Sequence, residues 1–594
     1  MEINYKKNDN KELFKNLNNS DFTEVNDVQN YFPLYNKYFT LNKNNFNSIN
    51  LQNNYYLNSL IKKNSYNKFD ATLIDNSGNK IVKEIFFKYS PLIDPVKYLL
   101  GKYHNICDEF ELKDLSFNSL NLKLLDNLYS LPKYQENSIE LENIINDPSK
   151  NNNFAKIYNP NNTSFVDCFF CFLSSKLLNK YNFLNGLDFY GSYLGNKNNF
   201  LYNIEDDIDI LSESEFFLKS NQIIYKMDKT CSEIFNSDTR KNKEILNIED
   251  YCDDSLNDIN ELEKDNLNEI NDWDEYSELK EINNFDLDIL NCKNSEFEIK
   301  KNKGTNSRSS TSCSSRSSIT NSANNSDEEE DLSESEEESV DEDEFNIVIN
   351  KFPIQLISLE SCYNTLDSYI MENKIKDKEW ESIILQILFI LITYQKVFKF
   401  THNDLHTNNI VYNKTEKKYI YYKFNGNYYK VPTFGKILKI IDFGRGIYYF
   451  KNNLHISDSF SFEGDAASQY NFEPYFNPNK PRVEPNFSFD LCRLSCSLFD
   501  YFIDDLDDLK KIKSPIKKLI ISWVYDDNNK NILYKSNGQE RYPEFKLYKM
   551  ISRIVNKHIP KEIIKNKIFE EYLISKKKIN SGTIINIDNI PELF

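Results

Sequence analysis

Polar and apolar residues alternate from Phe69 to Ile74 and again from Ile81 to Tyr89, with Asp75-Asn76-Ser77-Gly78-Asn79 between the two runs. A period of two marks strands with one buried face, and the Asp/Asn/Gly cluster supplies a turn. The pattern predicts a hairpin whose second strand carries Ile85-Phe86-Phe87-Lys88 and is stopped by Pro91 and Pro95. A Leu-rich stretch over 110–150 reads as helix and loop, and 164–181 as a compact apolar helix with Ser164 as N-cap. Phe183 to Leu194 reads as another strand. Phe200 to Leu211 follows as a strand with a solvated acidic end (Asp206, Asp207, Asp209), because a calcium loop would need a turn Gly and a closing Glu. Pro353 to Glu360 is a buried-type strand. Over 376–397, Trp380, Ile383, Ile384, Ile387, Leu388, Leu391 and Ile392 recur at three- and four-residue spacings, which predicts a buried helix. Asn425-Gly426 between Tyr419–Phe424 and Asn427–Val431 predicts a hairpin. Phe489 begins a further buried helix, and helices and loops are expected over 505–594.

Composition adds a break in this picture. The chain has 594 residues and a net charge of −19, which argues against a nucleic-acid coat, since phosphate backbones want Lys and Arg. Much of the excess lies in Asp327 to Glu344, where thirteen of eighteen positions are acidic. Such a block repels itself and buries no apolar area, so a disordered tether is expected, with Ser326, Ser333, Ser335 and Ser339 set among acids. Residues 1–45 read as a polar, Asn-rich extension with Tyr31-Phe32-Pro33-Leu34 as a docking patch. Cys168 and Cys171 lie in an apolar helix and read as buried thiols in a reducing compartment. The N-terminus is not a signal peptide, and the most apolar run, Ile383 to Ile392, is too short to span a bilayer. An intracellular protein without a membrane segment is expected.

The chemistry concentrates in His402-Asn403-Asp404-Leu405-His406-Thr407-Asn408-Asn409 and in Asp442-Phe443-Gly444. Phosphoryl transfer needs an Asp to accept the hydroxyl proton, and an Asn and a second Asp to hold Mg²⁺ against the phosphates. Asp404, Asn409 and Asp442 fit those needs. A polar loop with chance spacing is the structural alternative in an Asn-rich chain; the buried helix leading in and the Asp-Phe-Gly behind weigh against it. Lys88 closes an apolar strand, where it either pairs phosphates or is solvated. Asp167, the only acid in 164–181, either pairs with Lys88 or favours the first helical turn through the dipole.

On these motifs the chain resembles the protein-kinase-like superfamily, and more narrowly the serine/threonine protein kinases of giant (nucleocytoplasmic large) DNA viruses. The carrying segments are Phe86 to Pro95, Gly186 to Ser192, Thr401 to Asn409, Lys439 to Arg445, Gly464 to Pro474 and Ser488 to Leu494. The resemblance implies an α+β, bilobal protein-kinase-like fold: an extension (1–45), a small β-rich N-lobe (46–212), an acidic Ser-rich insert (213–345), then hinge and mainly helical C-lobe (346–594). It implies ATP and Mg as cofactors, Asp404 as catalytic base, Asn409 and Asp442 as Mg²⁺ ligands, and Lys88 on the ATP phosphates, with Asp167 the one acid on the helix that would carry its partner. Asp490 would brace the catalytic loop, and Glu360 to Cys362 would form the adenine-contacting hinge. Expected partners are a protein substrate and a basic protein bound by the acidic insert, with no nucleic acid or membrane. The expected location is cytoplasmic, in host cytoplasm or virion if the chain is viral. The departures are specific. Asn403 stands in place of an Arg that grips an activation-loop phosphate. His406 replaces a Lys that helps hold the γ-phosphate. Lys63 to Asn67 has no Gly where a phosphate lid would have several, and the helix at 164–181 has no Glu. They leave open a small-molecule kinase of the aminoglycoside or choline type, and a weakly catalytic scaffold that works through its acidic insert.

Overall fold

The computed structural model of the protein describes residues 2–7, 10–18, 22–103, 131–134, 152–227, 345–579 and 584–594. A seven-stranded antiparallel sheet carries the first part of the chain. Its strands are β1 (Val25–Gln29), β2 (Tyr55–Lys63), β3 (Lys68–Asp75), β4 (Lys80–Pro91), β5 (Phe189–Asn203), β6 (Tyr225–Met227) and β7 (Asn346–Glu360). The order is β1-β5-β7-β4-β3-β2, with β6 paired to β7. The β3–β4 hairpin lies where the alternation placed it, with Phe69 opposite Ile85 and Ile74 opposite Lys80. Ile85, Phe87 and Tyr89 point into the core, so Phe86 and Lys88 turn to the other face. β2 had no clean signal in the sequence because two register shifts, at Leu57/Ser59 and Leu60/Lys62, break its period.

Helix α1 (Thr163–Tyr181) crosses behind the sheet. Its N-cap is Asn162, whose side chain accepts from Ser164 N, and not Ser164. The Ser164 hydroxyl is used instead by Pro91 O and Ser90 Oγ, which tie the helix to the end of β4. After α1 the chain turns at Asn182, in the left-handed region, and β5 begins only at Phe189. The expected strand over 200–211 ends at Asn203; Glu205–Asp207 form a 3₁₀ turn, and buried Asp207 accepts from Tyr202 Oη at 3.2 Å. Tyr31 to Leu34 are no docking patch: Tyr31, Phe32 and Leu34 are buried, and Phe32 packs on Phe165 of α1 at 5.9 Å. Residues 213–227, grouped with the insert by composition, form a short helix and β6, with Phe217 and Tyr225 buried. The acidic run, the Ser-rich run and most of the 110–150 stretch lie outside the described residues.

The second part of the chain is mainly helical around α2 (Asp377–Phe398). Among the described residues this helix alone is long and apolar enough to cross a membrane, and 94% of its apolar window is buried inside the protein, which makes it a core helix. It is followed by β8 (Ile410–Lys414), β9 (Tyr419–Phe424), β10 (Asn427–Pro432) and β11 (Lys436–Ile440), then α3 (Phe489–Phe502) and α4 (Lys546–Ile554). The Asn-Gly hairpin joins β9 to β10 as predicted. Two short strands, β12 (Leu573–Ile574) and β13 (Ile584–Asn586), extend it to a four-stranded sheet of order β12-β10-β9-β13. Strands of two and three residues carry no local pattern, so 505–594 read as helices and loops only. The described chain is therefore mixed α+β.

Candidate active site

The site is assembled from three places far apart in sequence. β4 presents Lys88 on the face opposite its core residues, α1 presents Asp167 from its first turns, and the turn after β11 presents Asp442. Lys88 Nζ lies 2.7 Å from Asp167 Oδ2 and 2.9 Å from Asp442 Oδ1. Burial alone would lower the Lys88 amine, but the two carboxylates outweigh it and hold it above its ordinary range. Asp167 Oδ1 accepts from Phe443 N at 2.8 Å. Of the two readings of Asp167, the geometry selects the pair. Phe443 is fully buried and packs on Phe170 of α1 at 4.6 Å, which fixes the turn that carries Asp442.

The loop after α2 is held from beneath by Asp490 of α3. Its carboxylate accepts from His402 N (2.9 Å) and Asn403 N (2.9 Å). His402 Nδ1 accepts from Asp404 N at 3.3 Å, so Nε2 carries the proton and donates to Ile441 O at 2.9 Å. Asn403, with φ of +66°, donates to Arg445 O at 2.9 Å and accepts from Tyr470 Oη at 2.5 Å. Asn409 Nδ2 donates to Asp404 O at 2.9 Å and faces His406 Nε2 at 3.0 Å. His406 is buried, which pushes it down to about 4. It is thus neutral near pH 7 and brings no positive charge to the loop.

Lys88, Asp167, Asp404, Asp442, Arg445 and Asp465 line one cleft of about 90 Å³. Glu360, Cys362, His406 and Asn409 are not part of this lining, although Asn409 adjoins the turn that carries Asp442 through its carbonyl, which accepts from Ile441 N at 3.0 Å. The Glu360 carboxylate is engaged by Lys439 (2.5 Å), by Asn413 (2.8 Å) and by Asp188 N (2.7 Å). Cys362 is half-buried beyond the end of β7. Among the described residues no three His, Cys, Asp or Glu side chains form a metal cage. Asp442 and Asn409 offer hard oxygens, and that sparse set fits Mg²⁺, which takes its remaining ligands from phosphates and water.

Sequence reasoning missed the surroundings of Asp404. Its Oδ1 accepts from Tyr548 Oη at 2.8 Å and lies 3.7 Å from Arg493 Nε; its Oδ2 lies 4.0 Å from Arg445 Nη1. Arg445 is anchored in turn by Asp465 at 2.8 Å. Arg445 and Arg493 stand inside segments that carry the resemblance, Lys439 to Arg445 and Ser488 to Leu494, so their closeness to Asp442 and Asp490 was a usable signal. Tyr548, 144 positions from Asp404, had none.

No protein-family model matches the chain. The bovine serine/threonine-protein kinase haspin is 31% identical over 140 residues, covering 23% of this chain and 16% of haspin. The mouse serine/threonine-protein kinase haspin is 32% identical over 126 residues, covering 20% and 16%. An uncharacterized Caenorhabditis elegans protein is 26% identical over 108 residues, 17% of this chain and 36% of that one. The chain thus spans about a sixth of the length of the haspins it matches. Over that part the chain is similar to a protein kinase.

Proposed function

We propose that the protein is an ATP- and Mg²⁺-dependent protein kinase that transfers the γ-phosphate to Ser or Thr hydroxyls. In this reading the sheet is the N-lobe, the residues after β7 are the hinge, and the α2-centred part is the C-lobe of a bilobal kinase-like fold. The observation that carries it is one cleft shared by two arrangements: Lys88 clamped between Asp167 and Asp442, and Asp404 on a loop braced by Asp490. Bound MgATP supplies the transferable phosphoryl group and the metal that neutralises its charge. Lys88 holds the phosphates, and Asp442 and the amide oxygen of Asn409 hold the metal. Asp404 orients the acceptor hydroxyl and takes its proton. Asp167 stands in for the absent helix Glu. Arg445, rather than His406, is the cation on the cleft side of Asp404.

The test is phosphate transfer from radiolabelled ATP with Mg²⁺ to a generic basic protein. Wild type should label it, Asp404→Ala should lose about 10²–10⁴-fold in rate, and Asp442→Asn should stay folded while losing its Mg²⁺-dependent stabilisation by ATP. No labelling of any acceptor, with no shift in melting temperature on adding MgATP, would sink the reading. Labelling of small alcohols but not proteins would replace the acceptor class.

A further inference from the structure

A catalytic Asp must present one carboxylate oxygen to the acceptor, yet its terminal torsion is soft and roughly two-fold. Something must hold it. Here Asp404 Oδ1 accepts from Tyr548 Oη at 2.8 Å, and Tyr548 Oη lies 3.0 Å from Arg493 Nε. An arginine only donates, so the phenol oxygen accepts from Arg493 and its own proton is left for Asp404. The relay therefore has one direction. Both Tyr548 and Asp404 are about 1% exposed.

The Tyr548 ring is fixed as well. It stacks on Phe545 at 5.4 Å and 10°, with the guanidinium groups of Arg445 and Arg493 5.4 and 5.3 Å from its centre. Arg493 sits three residues after Asp490, one turn along α3, so a single helix braces the loop backbone through Asp490 and orients the phenol through Arg493. With Oδ1 tethered, Oδ2 is the oxygen on the Arg445 side, and Arg445 lines the cleft.

We propose that Tyr548, oriented by Arg493, is a positioning residue that locks the Asp404 carboxylate so that its second oxygen meets the acceptor hydroxyl. This rests on the kinase reading above.

The experiment uses the full chain, MgATP and a generic basic protein. Tyr548→Phe should lower kcat about 10- to 100-fold through misplacement of the carboxylate. KM for ATP and the stabilisation by MgATP should stay within about 2-fold of wild type, because the tyrosine hydroxyl bonds Asp404 and Arg493, neither of which holds nucleotide in the reading above. Arg493→Lys should lower kcat in the same way, and the double variant should lose less than the product of the two single losses, since Arg493 acts on Asp404 through the phenol as well as from 3.7 Å away. If Tyr548→Phe does not fold, Arg493→Lys carries the test, and an unchanged kcat there overturns the inference. An active wild type whose Tyr548→Phe keeps or exceeds its kcat, or loses only in KM for ATP, overturns this inference alone. A wild type that transfers no phosphate overturns the kinase reading and this inference with it.

Discussion

Asp442 and Asn403 both sit in the left-handed region, with φ of +61° and +66°. Asp and Asn tolerate that region better than other side chains, and each conformation is held by partners: Lys88 for Asp442, Arg445 O and Tyr470 for Asn403. The residue types at the site were legible because the proposed phosphoryl transfer demands them at fixed spacing; their protonation was not. Burial lowers His406 from its ordinary 6.5 to about 4. Between those values the unfolded chain binds a proton that the folded chain refuses. This contribution to stability is complete above pH 6.5 and is lost as pH falls toward 4, up to about 3 kcal/mol. Buried His455 and half-buried His558 are lowered as well and act in the same direction. His406→Gln should flatten the fall in unfolding free energy measured in urea between about pH 7 and about pH 5. A slope equal to wild type would mean that His406 titrates normally.

At the scale of elements, the hairpin of β3 and β4, the helix α2 and the Asn-Gly hairpin were readable because each carries its own period or turn chemistry. The start of α1 was not. Asn162 wins the cap over Ser164 because its amide also donates to Leu92 O (2.8 Å) and Lys156 O (3.0 Å), contacts from residues 70 and 6 positions away. The cap therefore couples α1, and with it Asp167, to the chain after β4. Asn162→Ala should cost about 2 kcal/mol by chemical denaturation, the upper end for a cap because buried carbonyls lose their donor. It should also weaken the stabilisation by MgATP. A change below about 0.5 kcal/mol would mean the helix start is held by packing alone.

For the whole molecule, the long acidic stretch enters and leaves the sheet at one place. Met227 of β6 is opposite Ile347 of β7, and Lys226 opposite Val348. Antiparallel partners lie about 5 Å apart at Cα, so a short Gly/Ser loop can join them. Replacing residues 228–344 with such a loop should leave the melting temperature within a few degrees and phosphate transfer to a generic basic protein nearly intact. Loss of folding would show that the replaced residues complete the core.

The sequence by itself determined the mixed α+β content, the strand that carries Lys88, the buried helix before the loop, and the candidacy of Asp404, Asn409 and Asp442. These follow from periodicity and from motif spacing, which are local properties of the chain. Only the tertiary structure decided that Asp167 meets Lys88, that the Glu360 side chain faces Lys439 rather than the cleft, that His406 is neutral, and that Tyr548 and Arg493 close on Asp404. Each of these joins residues from separate elements or depends on burial. Distance in the fold and exclusion of water are not encoded in any one stretch, but arise when the sheet, α1, α3 and α4 pack around the same loop.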